Sequence, residues 1–86
     1  MKQAHEIVRS VKLIKIGDDS SNKSGQTNKF WQAKIIGNIL IATWGPNGTP
    51  GRTQQYVLDN IYAARNKIRE TVQSKLKKNY KMVYSF

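Results

Sequence analysis

The chain has 86 residues, with 15 lysine and arginine residues against 5 acidic ones, a formal net charge of +10, and no cysteine. This length fits one domain with a modest core, and the lack of cysteine excludes disulfides, thiolate metal sites and a cysteine nucleophile. The charge favours an anionic partner, such as nucleic acid or an acidic protein. No apolar run is long enough to span a membrane and no secretory signal is visible. We expect a monomer in the cytoplasm or on the nucleoid, without a membrane partner.

The first quarter of the chain predicts a strand followed by a loop. Residues 7–16 are rich in β-branched side chains, as in a strand, and residues 17–28 are rich in serine, asparagine and glycine, as in a loop. Asp18 and Asp19 lack the spacing and the distal glutamate of a calcium loop. The single histidine, His5, cannot form a metal site in a chain without cysteine. We therefore expect no bound metal.

Two apolar runs, residues 30–36 and 39–44, are separated only by a Gly-Asn pair, which predicts a two-residue hairpin with a primed turn. If Ile36 opposes Ile39, alternate side chains of both runs share one face. That face consists of Trp31, Ala33, Ile35, Leu40, Ala42 and Trp44. The polar residues of the other face are Gln32, Lys34 and Thr43. We expect the apolar face to meet the core and the other face to be wetter.

The segment after Trp44 has the sequence GPNGTPG. Its Pro-Asn-Gly part, residues 46–48, suits a type I turn, and its Pro-Gly part, residues 50–51, suits the centre of a type II turn. These turns predict a shaped loop rather than a flexible linker. Residues 53–58 can then form a short strand.

Residues 60–78 predict the one long helix. Its apolar residues recur at spacings of three and four and form a single stripe: Ile61, Ala64, Ile68, Val72 and Leu76. Asp59 or Asn60 can cap the start, and Asn79 can take the left-handed conformation beyond the end. Residues 81–86 return as extended chain and predict a last strand.

These elements predict an α+β fold, in which a small antiparallel sheet of about four to five strands carries one long C-terminal helix on one face. All 86 residues are expected in one domain. A helix-turn-helix is excluded because only one amphipathic helix is present.

The motifs of this chain resemble those of the WGR domain over roughly residues 11–84. The resemblance is carried by Asn-Lys-Phe-Trp at 28–31, Ala-Thr-Trp-Gly at 42–45, Asn-Gly at 47–48 and Lys-Leu-Lys-Lys-Asn-Tyr at 75–80. WGR domains accompany DNA-dependent poly(ADP-ribose) polymerases, where they bind DNA at breaks. They also occur in bacterial proteins similar to a molybdate-metabolism regulator and as short standalone proteins. The resemblance implies about five antiparallel strands with a helix against them.

The resemblance also implies roles for two residues and removes one. In DNA-binding members the motif tryptophan packs on sugar-phosphate, and the asparagine before Lys-Phe contacts the backbone. By position these residues are Trp44 and Asn28. The arginine that gives the family its name is replaced here by Pro46, so no residue at that position can perform the role of the arginine.

The residues expected at the nucleic-acid site are Trp44, Arg52, Asn28, Lys29, Lys34, Gly45, Asn47 and Gly48. Several have a simpler alternative role. Trp44 can be a half-buried core residue that still offers one ring edge to a ribose. The two glycines and Asn47 can present backbone N–H groups to a phosphate or can serve turn geometry alone. Arg52 is the best local replacement for the motif arginine, and it and the lysines can equally be solvated surface charges.

The expected function is a binding module that engages DNA through its sugar-phosphate backbone with weak sequence specificity. The alternative is a protein–protein adaptor that binds an acidic partner, which the missing motif arginine favours. The isolated histidine and scattered carboxylates supply no catalytic constellation, so no enzyme activity and no cofactor are expected.

Overall fold

The computed structural model describes residues 7–17 and 27–86. Asp18, Asp19, His5 and most of the predicted polar loop lie outside these residues. Within them the elements in chain order are β1 (Ile7–Gly17), β2 (Thr27–Ile36), β3 (Ile39–Pro46), β4 (Arg52–Val57), α1 (Ile61–Lys77) and β5 (Lys81–Ser85).

The five strands form one sheet in the order β4-β3-β2-β1-β5, and every neighbouring pair is antiparallel. The helix crosses one face of the sheet, and β5 then pairs with β1 at the edge away from β4. The fold is therefore α+β, as predicted, with five strands and one helix in the described residues.

The predicted hairpin is confirmed residue by residue. Ile36 opposes Ile39, Ala33 opposes Ala42, and Trp31 opposes Trp44. Gly37 has a φ of +64°, as the first central residue of a primed turn requires. The register follows from the turn, because a two-residue connection leaves one way to pair the flanking strands.

The core lies between α1 and the apolar face of the hairpin, which β1 extends. From the sheet it includes Val11, Leu13, Trp31, Ala33, Ile35, Leu40 and Ala42, and from the helix Ala64, Ile68 and Val72. Within residues 7–17 and 27–86, no helix lies over the other face of the sheet. Burial of this one face supplies the hydrophobic free energy that holds the helix to the sheet.

Both ends of α1 are capped as the sequence predicts. The Asn60 side chain accepts a hydrogen bond of 2.9 Å from the N–H of Ala63. At the other end Asn79 has a φ of +72°, its N–H donates to the Leu76 carbonyl, and the N–H of Tyr80 donates to the Lys75 carbonyl. This pair of bonds is a Schellman motif, which turns the chain back toward β5.

Three local expectations were wrong. Gly17, Thr27 and Asn28 are strand rather than loop, because Gly17 pairs with Thr27 and Ile16 with Asn28 and so extend the ladder. Leu76, the last residue of the predicted apolar stripe, is 43% exposed, and the neighbouring Lys75 is the residue of that turn that lies over Tyr80.

The third error concerns the turn after Trp44. Pro46 ends β3 opposite Lys29 and is the first residue of the turn, not the second. Its carbonyl accepts hydrogen bonds from the N–H and the hydroxyl of Thr49, at 3.2 and 2.8 Å. Gly48 is the third residue and has a φ of +89°, which a type II turn requires and a type I turn does not.

Candidate nucleic-acid interface

Most of the predicted site residues meet at one end of the sheet, where β2 begins, β3 ends and β4 begins. These residues, called here the sheet-end site, are Asn28, Lys29, Trp44, Gly45, Asn47, Gly48 and Arg52. Trp44 and Arg52 are direct partners across β3 and β4. The N–H of Asn47 donates a 2.9 Å hydrogen bond to the carbonyl of Asn28. The loop is therefore tied to the start of β2.

Trp44 lies at the boundary between core and surface. It is partly buried and packs against the core cluster, next to its cross-strand partner Trp31. It also lines an open groove of about 250 Å³ between α1 and the outer strands, together with Tyr56, Lys67 and Lys75. The ring is thus held by packing on one side and accessible from the groove on the other.

Arg52 projects from the same face as Trp44, because directly opposed residues of an antiparallel pair point the same way. It is exposed at the edge of the sheet, and its side chain makes no hydrogen bond or ion pair within residues 7–17 and 27–86. The register therefore places the Cβ of Arg52 about 5 Å from the Cβ of Trp44. Pro46 itself is exposed and offers neither charge nor N–H.

Two glycines at the ends of the loop, Gly45 and Gly51, allow close backbone packing. A Cβ on Gly51 would lie 2.5 Å from the Trp44 carbonyl oxygen and 2.8 Å from Cζ of Phe30, and a Cβ on Gly45 would lie 2.9 Å from Cα of Gly51. The N–H groups of Asn47 and Thr49 are used in hydrogen bonds inside the protein. Turn geometry therefore accounts for this loop better than a backbone phosphate cradle does.

Next to the sheet-end site lies a group of like charges that we call the lysine cluster: Lys15, Lys29, Lys75 and Lys78. Lys15 and Lys29 are direct partners across β1 and β2. The Nζ atoms of Lys15 and Lys75 lie 5.9 and 5.0 Å from the centroid of the Tyr80 ring. Burial, and then the charges of Lys78, Lys29 and Lys15, lower the pKa of Lys75 below its ordinary value. Burial raises the pKa of Tyr80.

Sequence reasoning did not assign Lys15, Lys75 and Lys78 to the site. Lys75 and Lys78 stand out only as part of a basic helix end, and Lys15 lies about 60 residues away from them in the chain. An available signal was the pairing of the predicted first strand with the second, which would have set Lys15 beside Lys29. No local pattern shows that the end of α1 lies over the same pair.

Lys34 is the one predicted site residue that the fold sets apart. It pairs with Ile41 near the hairpin turn and lines a groove on the face opposite α1. Five residues of strand separate it from Lys29, a distance of about 17 Å. A ligand at the sheet-end site and the Lys34 side chain are thus on different faces.

In residues 7–17 and 27–86 no three histidine or acidic side chains are grouped closely enough to hold a metal ion. In the same residues the helix lacks the length and apolar character needed to cross a membrane.

Comparisons with known proteins agree with the sequence motifs. The family model of the WGR domain matches residues 19–86. No curated protein matches the sequence. This chain is similar to a crystal structure of a protein from Bacteroides fragilis, with a TM-score of 0.71 and 23% sequence identity. The match covers 87% of this chain and 19% of the length of that protein. At this identity the likeness concerns the fold alone. The family-model match covers most of the chain, which therefore belongs to the WGR family, in general a family of nucleic-acid-binding modules.

Proposed function

We propose that the chain binds DNA through its sugar-phosphate backbone at the sheet-end site. The observation that supports this most is the convergence of a half-accessible Trp44, its cross-strand partner Arg52 and the lysine cluster at one end of the fold. The charges of Lys78 and Lys29 near the partly buried Lys75 cost folding free energy. A row of phosphates would offset that cost, and counterion release would add to the affinity.

In this proposal the cations bind phosphates and the aromatic ring fixes their position. Lys29, Lys75 and Arg52 contact phosphate oxygens, and the exposed edge of Trp44 packs on a sugar of the same strand. Phosphate and sugar contacts set the orientation of DNA but carry no base information. Since no helix or ribbon at this end is patterned to enter the major groove, we expect weak sequence specificity.

Arg52 takes the place of the missing motif arginine. Position 46 carries a proline at the end of β3, but the β3–β4 register sets Arg52 directly beside Trp44. A guanidinium on the neighbouring strand can reach the same phosphate without any change in the loop. The rigid Pro46 turn, anchored by Thr49, keeps β4 in that register.

The same cations would also attract an acidic protein, so the first experiment compares the two partners. A blunt DNA duplex and poly-glutamate are titrated into the chain at several salt concentrations. If about 4–5 phosphates are contacted, the logarithm of the DNA association constant should fall with the logarithm of salt with a slope near about −4. Tighter binding of poly-glutamate than of the duplex at equal ionic strength would favour the adaptor function and overturn the DNA proposal.

A second experiment compares the duplex affinity of two variants, each of which lacks one positive charge at a different place. Arg52→Ala should weaken duplex binding by about tenfold and lower the salt slope by about 1, because one phosphate contact is lost. Lys34→Ala removes the same charge from the opposite face and should change duplex affinity by less than about twofold, through the long-range field alone. Both side chains are exposed, so both variants should melt like the parent protein. Equal effects of the two substitutions on duplex affinity would remove the sheet-end site from the proposal.

A further inference from the structure

The face of the sheet opposite α1 carries a groove that the DNA proposal does not use. Its larger part, of about 450 Å³, lies over the middle strands, and a smaller part of about 310 Å³ lies under the 46–51 loop. Gln32 lines both parts, which therefore adjoin, and we call the two together the open-face groove. Residues 47–50 border its near end. The groove thus adjoins the sheet-end site, with which it shares Asn47 and Gly48.

A row of hydrogen-bonding side chains crosses the floor of this groove, one from each strand. In strand order the row is Thr53, Thr43, Gln32, Lys12 and Tyr84. The two threonine hydroxyls lie 3.1 Å apart. Four strand spacings give the row a length of about 19 Å. This row offers hydroxyl, amide, ammonium and phenol groups in a line, which suits the varied edges of several bases.

Two stacked aromatic rings stand at the β5 end of the row. Tyr84 and Phe86 have ring centroids 5.7 Å apart and are 39% and 71% exposed. They are held in place, since the backbone of Phe86 exchanges hydrogen bonds of 2.7 and 2.9 Å with Ser10, and the Arg9 guanidinium donates to the Ser85 hydroxyl. Fixed, exposed ring faces offer stacking at little cost in side-chain entropy.

The charge around the groove has one sign in the described residues. Lys12 and Lys34 line it, and the Nζ atom of Lys12 lies 5.7 Å from the centroid of the Phe30 ring. The described carboxylate side chains are Asp59, which precedes α1 in the chain, and Glu70, which is part of α1 on the other side of the sheet. The charge of the groove is therefore complementary to an anion.

We propose that the open-face groove binds single-stranded nucleic acid, with a base stacked on Tyr84 and phosphates at Lys12 and Lys34. Fixed rings, a hydrogen-bonding floor and flanking cations are the features that hold single strands without strong sequence preference. A duplex does not fit this chemistry, because its bases are stacked on one another and cannot reach the rings. The length of the row corresponds to a short site of about 4 nucleotides. A strand leaving the sheet-end site can continue past the 46–51 loop into this groove.

The proposal is tested by fluorescence anisotropy with a labelled oligothymidylate of about 8 nucleotides and, separately, with a blunt duplex. Tyr84→Ala should weaken oligothymidylate binding by about tenfold, as loss of one stacked base predicts. Tyr84→Phe keeps the ring and should bind like the parent. Neither substitution should change duplex affinity by more than about twofold. Arg52→Ala, in contrast, should weaken the duplex more than the oligothymidylate.

Phe86→Ala provides a second variant in case Tyr84→Ala disturbs β5, and it should weaken oligothymidylate binding in the same direction. Oligothymidylate affinity within about twofold of the parent for both alanine variants, with the fold intact by melting, would overturn the proposal. So would stronger binding of poly-glutamate to the groove in a competition assay. The chain could instead fail to bind the duplex but still bind oligothymidylate in a way that depends on Tyr84. That result would overturn the proposal for the sheet-end site and leave the proposal for the open-face groove standing.

Discussion

The two faces of the sheet are built from alternate residues of the same strands, but one face is buried under α1 and the other is accessible. On the face under α1 the hairpin partners are Trp31 with Trp44 and Ile35 with Leu40, and nearly all of this surface is buried. On the open face Gln32 opposes Thr43, and the side chains stay accessible. One face stabilises the fold, which leaves the other free to bind a ligand. A strand's period of two makes this division within a single short sequence.

The two faces meet at the 46–51 loop. On the helix side the loop adjoins Trp44, and on the open side it contacts Phe30, which is buried although the one helix of the described residues lies on the opposite face. Gly51 makes this possible, because its missing side chain lets the backbone contact both residues. The loop therefore borders both the sheet-end site and the open-face groove.

The largest expected effect comes from the same substitution made once on each face. Ile35 is fully buried under α1, whereas Ile41 lies half-buried on the open face of the next strand. Ile35→Ala should lower the free energy of unfolding by about 4 kcal/mol, through lost burial and a cavity. Ile41→Ala should lower it by about 1 kcal/mol. Urea unfolding measures both, and similar losses would show that the open face is covered in solution.

A smaller effect is expected where the faces meet. Gly51→Ala should cost about 2–3 kcal/mol, because the new Cβ clashes with the Trp44 carbonyl at a φ of +75°. Gly37→Ala is the matched control, since Gly37 also has a positive φ but has open space around it, and it should cost about 1 kcal/mol. Equal losses in thermal melts would mean that the loop moves to accommodate the methyl group, and that Gly51 does not set its position.

The smallest expected effect concerns the lysine cluster. Because the pKa of Lys75 is lower in the folded than in the unfolded chain, its charged form opposes folding. This cost is fully present below the folded pKa and disappears as pH rises through it toward the unfolded value. Lys75→Met should therefore stabilise the fold at neutral pH by less than about 0.5 kcal/mol, since solvent screens the cluster. The gain should shrink as pH rises.

The same variant should bind the DNA duplex more weakly, which separates a binding role from a structural one. Lys77→Met, at an exposed position in the same helical turn, is the control and should leave the melting temperature nearly unchanged. A fall in stability for Lys75→Met at neutral pH would show that its contact with Tyr80 outweighs the repulsion within the cluster.

The features that the sequence determined by itself are those set by near neighbours. The two-residue turn specifies that Trp31 opposes Trp44, and the helix ends follow from Asn60 and Asn79, whose side chains or backbone act within a few residues. The resemblance to the WGR family could also be seen in the sequence, because its motifs are short and their residues lie close together in the chain. Arg52 was expected near Trp44 on the same ground, because only a short loop separates β3 from β4.

Only the tertiary structure shows which residues from distant segments of the chain lie next to one another. That Lys15 of β1 and Lys75 of α1 share the ring of Tyr80 depends on where the helix crosses the sheet, and no pattern within either segment encodes that crossing. The same is true of Lys34, which belongs to the open face, and of Tyr84, which meets Lys12 only because β5 returns beside β1. Local hydrogen bonds and alternation act over a few residues, whereas packing of the apolar faces sets the relation between elements far apart in the chain.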